Sequence, residues 1–110
     1  MPLGVFENNF KQTIKIYIME MKLILESKTF KVISVSLEKG ESMPNHKATS
    51  DAFVIVRQGK VKLIFDNHEI YLRQDSTQLI PANEKHTLQV EEDFSACIVL
   101  AIEGEIKFIK

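Results

Sequence analysis

The feature of this sequence that most constrains its fold is a series of short segments in which apolar and polar residues alternate with a period of two. The clearest of them cover residues 14–18, 30–37 and 60–65, and other short strand candidates, such as 22–26, occur at intervals of eight to twelve residues. No stretch of ten or more positions carries the 3.6-residue stripe of an amphipathic helix. The pattern predicts an all-β domain, a sandwich or barrel of about ten short strands.

The amino-acid composition agrees with this prediction. The chain has 110 residues, enough for one domain with a single core. It contains 13 Ile, 8 Val and 5 Thr, against 5 Ala. Side chains branched at Cβ suit the pleated surface of a sheet better than a helix, so these proportions favour strands.

Charge and targeting features exclude several classes of partner. Lys and Arg number 14 and Asp and Glu 15, a balance that lacks the basic footprint of a nucleic-acid-binding protein. The longest apolar run, residues 96–102, is far shorter than the ~18 residues of a membrane span. No signal peptide is visible, so we expect a cytoplasmic protein. The single cysteine, Cys97, rules out an intrachain disulfide and is predicted to be a small buried thiol.

Several segments are predicted to interrupt the strands. Residues 43–50 are polar and contain Pro44, which indicates a loop. Turns are predicted at Gln58-Gly59 and at 92–93, and a hairpin connection at 66–69. Near the N-terminus, apolar residues alternate again over 14–18, which predicts one added strand.

Two of the three histidines stand where chemistry is expected. His46 and His86 each lie where a loop leads into a strand, about forty residues apart. Neutral imidazole is a good ligand for transition metals, and ligands at strand ends are common in β-barrels. His68 lies at the tip of a predicted hairpin, and we interpret it as a polar turn residue.

The spacing around these histidines resembles the cupin family. The first cupin motif is G-x5-H-x-H-x3,4-E-x6-G, and Gly40, His46 and Gly59 match it. The second is G-x5-P-x-G-x2-H-x3-N, and Pro81 and His86 match it. Asp75 and Asn83 stand at its glycine positions, and they are among the residues that best tolerate a positive φ after glycine. Val90 replaces the asparagine.

The resemblance spans about residues 22–103 and implies a cupin-type double-stranded β-helix, a jelly-roll β-barrel. It predicts a single cupin domain over 22–110, preceded by an N-terminal extension over 1–21. A metal-binding cupin holds its ion with three histidines and a glutamate, two of the histidines and the glutamate coming from the first motif. Here Ala48 and Ala52 occupy two of those four positions, and only His46 and His86 remain.

Two side chains are too few for a tight transition-metal site, which normally needs three protein ligands. Asp51 is one residue out of place, and strand alternation directs it away from the face of Ala52. Other polar candidates near the expected barrel mouth are Glu41, Gln78 and Gln89. We therefore expect no cofactor, with a divalent transition metal on His46 and His86 as the alternative.

The leading functional hypothesis is a non-catalytic or weak small-molecule-binding module for a small, uncharged or anionic ligand. The residues predicted to form its ligand-binding pocket are His46, His86, Met43, Ala48, Ala52 and Val54. One alternative is a metal-dependent enzyme of the isomerase or dioxygenase type, with an unidentified third ligand. Another is a sensor or interaction module that acts through its dimer surface.

A homodimer is the expected assembly, because the resemblance implies it and because Phe53 and Ile55 are predicted to face outward from a central strand. Large apolar side chains in that position need a cover. The strand predicted over 14–18 is a candidate for addition to a partner's sheet edge, which would otherwise present unpaired backbone groups.

Overall fold

A computed structural model describes residues 20–109, and these residues form eight β-strands and no helix. The strands are β1 (Glu20–Glu26), β2 (Phe30–Leu37), β3 (Ser42–Ala48), β4 (Ala52–Phe65), β5 (Glu69–Arg73), β6 (Thr77–Ile80), β7 (His86–Ala101) and β8 (Ile106–Phe108). The all-β prediction is confirmed. The strand predicted over 14–18 and nearly all of the predicted extension 1–21 lie outside the described residues.

The long strands β4 and β7 run antiparallel and join two halves of one curled sheet. The N-terminal part of β4 and the C-terminal part of β7 belong to the first half-sheet, in the order β1-β2-β7-β4-β6. Their remaining parts belong to the second half-sheet, in the order β5-β4-β7-β3-β8. All pairings are antiparallel, and the two inward faces enclose one apolar core.

Gly59 lies where β4 passes from one half-sheet to the other, and the prediction of a turn at this point was wrong. The strand continues through a bulge, with register shifts on either side of Gln58. Gly59 has φ +89°, and a Cβ there would overlap the backbone of Asp93 on β7. The turn predicted at 92–93 is likewise part of a continuous strand. A bulge bends a strand without ending it, which is why turn-like residues occur here inside long strands.

The prediction of a loop over residues 43–50 was also wrong, because most of this segment is strand β3. Pro44 is compatible with the strand because it falls within a register shift between Met43 and His46, where regular pairing is interrupted. Met43, His46 and Ala48 are buried and the residues beside them are not, but the register shift separates Met43 from His46 by three positions and so interrupts the alternation. Buried histidine and alanine obscured the period of two.

The inward and outward alternation predicted elsewhere is confirmed. Phe53 faces outward and is 40% exposed, while Ala52 and Val54 on either side of it are buried. Asp75 and Asn83 have φ values of +72° and +66°, as expected for residues at glycine positions. Cys97 differs from its prediction: it is partly exposed and on the outward face of β7, while its neighbour Ala96 is buried.

Candidate functional site

The histidine pair is the centre of the candidate site, and strand pairing brings it together. His46 on β3 and His86 on β7 are direct cross-strand partners in the second half-sheet. Their ring centroids are 4.1 Å apart with an interplanar angle of 60°. Each residue is only 5% exposed. They are the two buried polar side chains among the described residues, and both face the barrel interior.

Local hydrogen bonds fix the protonation of both rings in the same way. The Nδ1 atom of His46 lies 2.7 Å from the carbonyl oxygen of Pro44, and that of His86 lies 2.9 Å from the carbonyl oxygen of Glu84. A carbonyl oxygen can only accept, so each Nδ1 carries the hydrogen and donates it. In the neutral ring, Nε2 then carries the lone pair. Neither Nε2 has a hydrogen-bond partner among residues 20–109.

The surroundings keep both rings neutral at physiological pH. The pKa of His46 is lowered from 6.5 to about 4, first by burial and then by the adjacent His86, against the opposing effect of the hydrogen bond to Pro44. Burial also lowers the pKa of His86, against the opposing effects of the Glu84 carbonyl and the Glu84 charge. Burial dominates because an apolar interior disfavours the charged form.

A cavity of about 40 Å³ lies inside the barrel beside the histidine pair. All six residues predicted to form the pocket line it: His46, His86, Met43, Ala48, Ala52 and Val54. The other lining residues are Val35, Val61, Leu63, Leu72, Ile80, Leu88, Phe94, Ala96, Ile98, Leu100 and Ile106. The two imidazoles are thus the polar part of an otherwise apolar wall.

Two aromatic rings that the sequence did not single out flank the histidines. Phe65 at the end of β4 lies 5.5 Å from the ring of His86, and Phe108 on β8 lies 5.8 Å from the ring of His46. His68 is exposed and stacks on the outer side of Phe65 at 4.6 Å, with its Nδ1 near the Asn67 side chain. It is a hairpin residue, as predicted, and does not reach the cavity. The alternation of β4 places Phe65 inward, which was the available signal.

The residues present do not fit the four-ligand metal centre of the motif. Ala48 and Ala52 line the cavity at two of the ligand positions. Within residues 20–109 there is no group of three His, Cys, Asp or Glu side chains able to hold a metal ion. Asp51 is exposed, and its carboxylate accepts a hydrogen bond from the backbone N–H of Ala82 at 2.9 Å.

The other polar candidates also lie away from the cavity. The Glu41 carboxylate accepts from the backbone N–H of Glu38 at 2.7 Å, and the Gln78 amide donates to the carbonyl of Leu79 at 3.0 Å. Gln89 is exposed. None of the three lines the cavity.

Comparison with known proteins agrees with the fold described above. A family model of the cupin domain matches residues 33–103, well over half of the chain. The chain belongs to the cupin family. No curated protein matches this cupin's sequence at a significant level. No helix of residues 20–109 is long and apolar enough to cross a membrane.

Solved structures with the same fold include cupins and an enzyme. A cupin superfamily protein from Desulfitobacterium hafniense is 19% identical over 93% of this chain and 86% of its own, with a TM-score of 0.70. An RmlC-like cupin from Desulfovibrio desulfuricans is 18% identical over 90% and 98%, with a TM-score of 0.67. The DMSP lyase DddQ from Ruegeria pomeroyi is 13% identical over 82% and 51%, with a TM-score of 0.75. At these identities the likeness is one of fold, the jelly-roll β-barrel.

Proposed function

We propose that this cupin is a non-catalytic module that binds a small molecule in its barrel without a tightly held metal. The observation that carries the proposal is the composition of the cavity wall. The wall is apolar apart from His46 and His86, and alanines stand at the two remaining ligand positions of the motif. An apolar pocket with a few convergent polar groups is the usual form of a small-molecule site.

The absence of a glutamate at position 52 is consistent with a barrel that binds a small molecule without a metal. A glutamate at position 52 would be a buried carboxylate, which is costly unless a metal or another partner compensates its charge. Alanine at 48 and at 52 removes two ligands while it keeps the interior apolar. The structural likeness to the lyase supplies the fold and not the reaction, so enzymatic activity is not part of the proposal.

Metal content tests the proposal directly. Protein purified without chelators should contain transition metal well below one equivalent by elemental analysis, and the His46→Ala variant should give the same value. The His68→Ala variant is the matched control, because it removes an exposed histidine outside the cavity. One equivalent of metal that is retained in His68→Ala and lost in His46→Ala would overturn the proposal in favour of a metal-dependent enzyme.

A second candidate function, association between copies of this chain, is favoured by the outward surface of the first half-sheet. The register aligns one apolar residue from each of its five strands in a row: Leu25, Val32, Val99, Phe53 and Leu79. Leu25, Phe53 and Leu79 are 54%, 40% and 53% exposed. The adjacent row is uncharged over four strands: Ser34, Cys97, Ile55 and Thr77. These nine residues form what we term the uncharged face.

We infer that a second copy of the chain covers the uncharged face. A symmetric dimer brings identical patches together, so a patch without charges avoids the repulsion that like charges would cause. The two outward rows of the uncharged face, about 6.7 Å apart on up to five strands about 4.8 Å apart, give a footprint of roughly 24 by 13 Å, about 300 Å² per copy. Stable interfaces bury about 800 Å² per partner, so the uncharged face forms the centre of the contact and neighbouring outward residues complete it.

Sedimentation velocity at micromolar concentration tests the association. The wild-type chain should sediment as a dimer, and Phe53→Lys should sediment as a monomer because it places a charge in the centre of the face. Tyr71→Lys is the matched control, since Tyr71 is an exposed aromatic residue on β5 of the other half-sheet. A monomeric wild-type chain, or a Phe53→Lys variant that remains dimeric, would contradict the inference.

A further inference from the structure

We propose that the barrel selects small uncharged molecules that donate a hydrogen bond to the histidine pair and present an apolar body to the rest of the cavity. This inference rests on the proposed small-molecule function and names the class of ligand. It follows from the hydrogen bonds of the two rings, the composition of the cavity wall and the size of the cavity.

Towards a ligand, the two histidines can act only as hydrogen-bond acceptors. Each Nδ1–H is already used by a backbone carbonyl two residues earlier, that of Pro44 or of Glu84. The remaining ring nitrogen, Nε2, is an acceptor in the neutral imidazole. Both residues are 5% exposed, and neither Nε2 finds a donor among the described residues. Buried acceptors without a donor are unfavourable, so the pair favours a donor from beyond the described residues, such as a bound molecule.

The cavity disfavours charged ligands. A carboxylate or a fully ionised phosphate ester offers acceptors only, and the neutral rings have no N–H left for it. An ammonium ion offers donors, but no acidic side chain of residues 20–109 lines the cavity to balance its charge. The Glu84 carboxylate, whose charge acts on His86, lies outside the lining. Burial of an unpaired charge is far more costly than burial of a hydroxyl.

The cavity is small and mostly apolar, which limits the size of a ligand and favours an apolar body. A cavity of about 40 Å³ accommodates about three water molecules, or an organic molecule of three or four heavy atoms. Water satisfies the acceptors but gains nothing from contact with Leu63, Leu88 and Leu100. A short alcohol satisfies the acceptors and also removes apolar surface from water, so it is favoured over water in this cavity.

The test uses two probes of the same heavy-atom number and nearly the same shape, 2-propanol and acetone, each titrated into the labelled full-length chain at pH 7. Binding is followed by the NMR signals of the two Nε2 atoms and of the methyl groups of Leu63 and Leu88. We expect 2-propanol to bind about tenfold more tightly than acetone, since only the alcohol donates a hydrogen bond. The His46→Leu and His86→Leu variants should lose this preference, and His68→Leu should retain it.

The outcomes separate this inference from the function on which it rests. Equal binding of both probes inside the cavity would overturn the donor preference and leave the small-molecule site intact. Stronger binding of acetone would have the same meaning. Binding of neither probe in the cavity would overturn both the inference and the proposed site. The wild-type comparison requires no variant, so it stays decisive even if a histidine substitution prevents folding.

Discussion

The inward faces of the two half-sheets are alike, whereas their outward faces differ in charge. Inside, both are apolar and share one core. Outside, the second half-sheet carries charged pairs such as Lys60–Glu91 and Lys62–Glu69, each at 3.6 Å. The uncharged face of the first half-sheet has none, although the same two long strands, β4 and β7, run through both halves. The outward residues of β4 and β7 therefore carry no charge within the uncharged face and include charged pairs beyond the bulge at Gly59.

This difference separates two kinds of apolar surface. The inward surfaces are covered by the chain itself, which is why the residues lining the cavity contribute to stability. The uncharged face is covered by nothing within residues 20–109, so its apolar residues cannot contribute in the same way to an isolated copy. The following experiments test whether the inward and outward surfaces, and the two half-sheets, differ as described.

The largest effect is expected for truncation of an inward residue. Leu63 is 1% exposed, and Leu63→Ala should lower the free energy of unfolding by about 2–5 kcal/mol, measured by urea denaturation. Tyr71→Ala, on the outward side of the same half-sheet and 53% exposed, should change it by less than about 0.5 kcal/mol. Similar losses for both variants would mean that the inward and outward surfaces are not distinct.

The second effect is a pH dependence caused by His46. Its pKa is lowered from 6.5 to about 4, so the unfolded chain binds a proton between these values and the folded chain does not. Stability should therefore be complete above pH 6.5 and fall as the pH decreases towards 4, by up to about 3 kcal/mol.

The His46→Asn variant separates this contribution from those of the carboxylates. The pH slope of its unfolding free energy between 6.5 and 4.5 should be smaller than that of the wild type, whereas His68→Asn should keep the wild-type slope. An unchanged slope in His46→Asn would show that the ring does not titrate as its burial requires.

The third effect is a gain of metal binding at the cavity wall, where Ala48 and Ala52 line the same cavity as the histidine pair. In the double variant Ala48→His, Ala52→Glu, all four ligand positions of the motif are filled. Affinity for Zn²⁺ or Mn²⁺ should rise at least about a hundredfold, close to 2.7 kcal/mol, measured by calorimetry. Adding His46→Ala to this variant should abolish the gain. Failure of the double variant to bind metal would show that something other than the two alanines prevents a metal centre.

The smallest effect concerns the uncharged face. Leu79 is 53% exposed on an outer strand of the first half-sheet, so Leu79→Lys should alter the unfolding free energy of the isolated chain by less than about 0.5 kcal/mol. The measurement is made below the concentration at which copies associate. A loss above 1 kcal/mol would indicate that Leu79 is already packed within one copy.

The sequence carried most of the fold, because alternation with a period of two is visible wherever the inward residues are large and apolar. It failed at β3, where Pro44 and the small or polar inward residues His46 and Ala48 conceal the period. It also failed at Gln58-Gly59, since a glycine with positive φ serves a bulge as well as a turn. The sequence pattern of one strand cannot distinguish a bulge from a turn, because the difference depends on how the partner strand pairs with it.

The candidate site was located from motif spacing, which placed His46 and His86 together with four pocket residues. The tautomer of the rings could not be predicted, because it depends on the carbonyls of Pro44 and Glu84 folding back beneath them. Phe65 and Phe108 as flanking rings depend equally on tertiary packing. These contacts, more than the identity of the histidines, decide what the pair can bind.

The central claim is that His46 and His86 present two acceptor nitrogens to an apolar cavity and hold no metal tightly. Nitrogen-15 NMR of the imidazole side chains at pH 7, before and after one equivalent of Zn²⁺, tests it most directly. We predict that both rings carry hydrogen on Nδ1 and none on Nε2, and that micromolar Zn²⁺ leaves both Nε2 signals in place. Hydrogen on Nε2 of either ring, or a stoichiometric shift of both Nε2 signals with Zn²⁺, would contradict the claim.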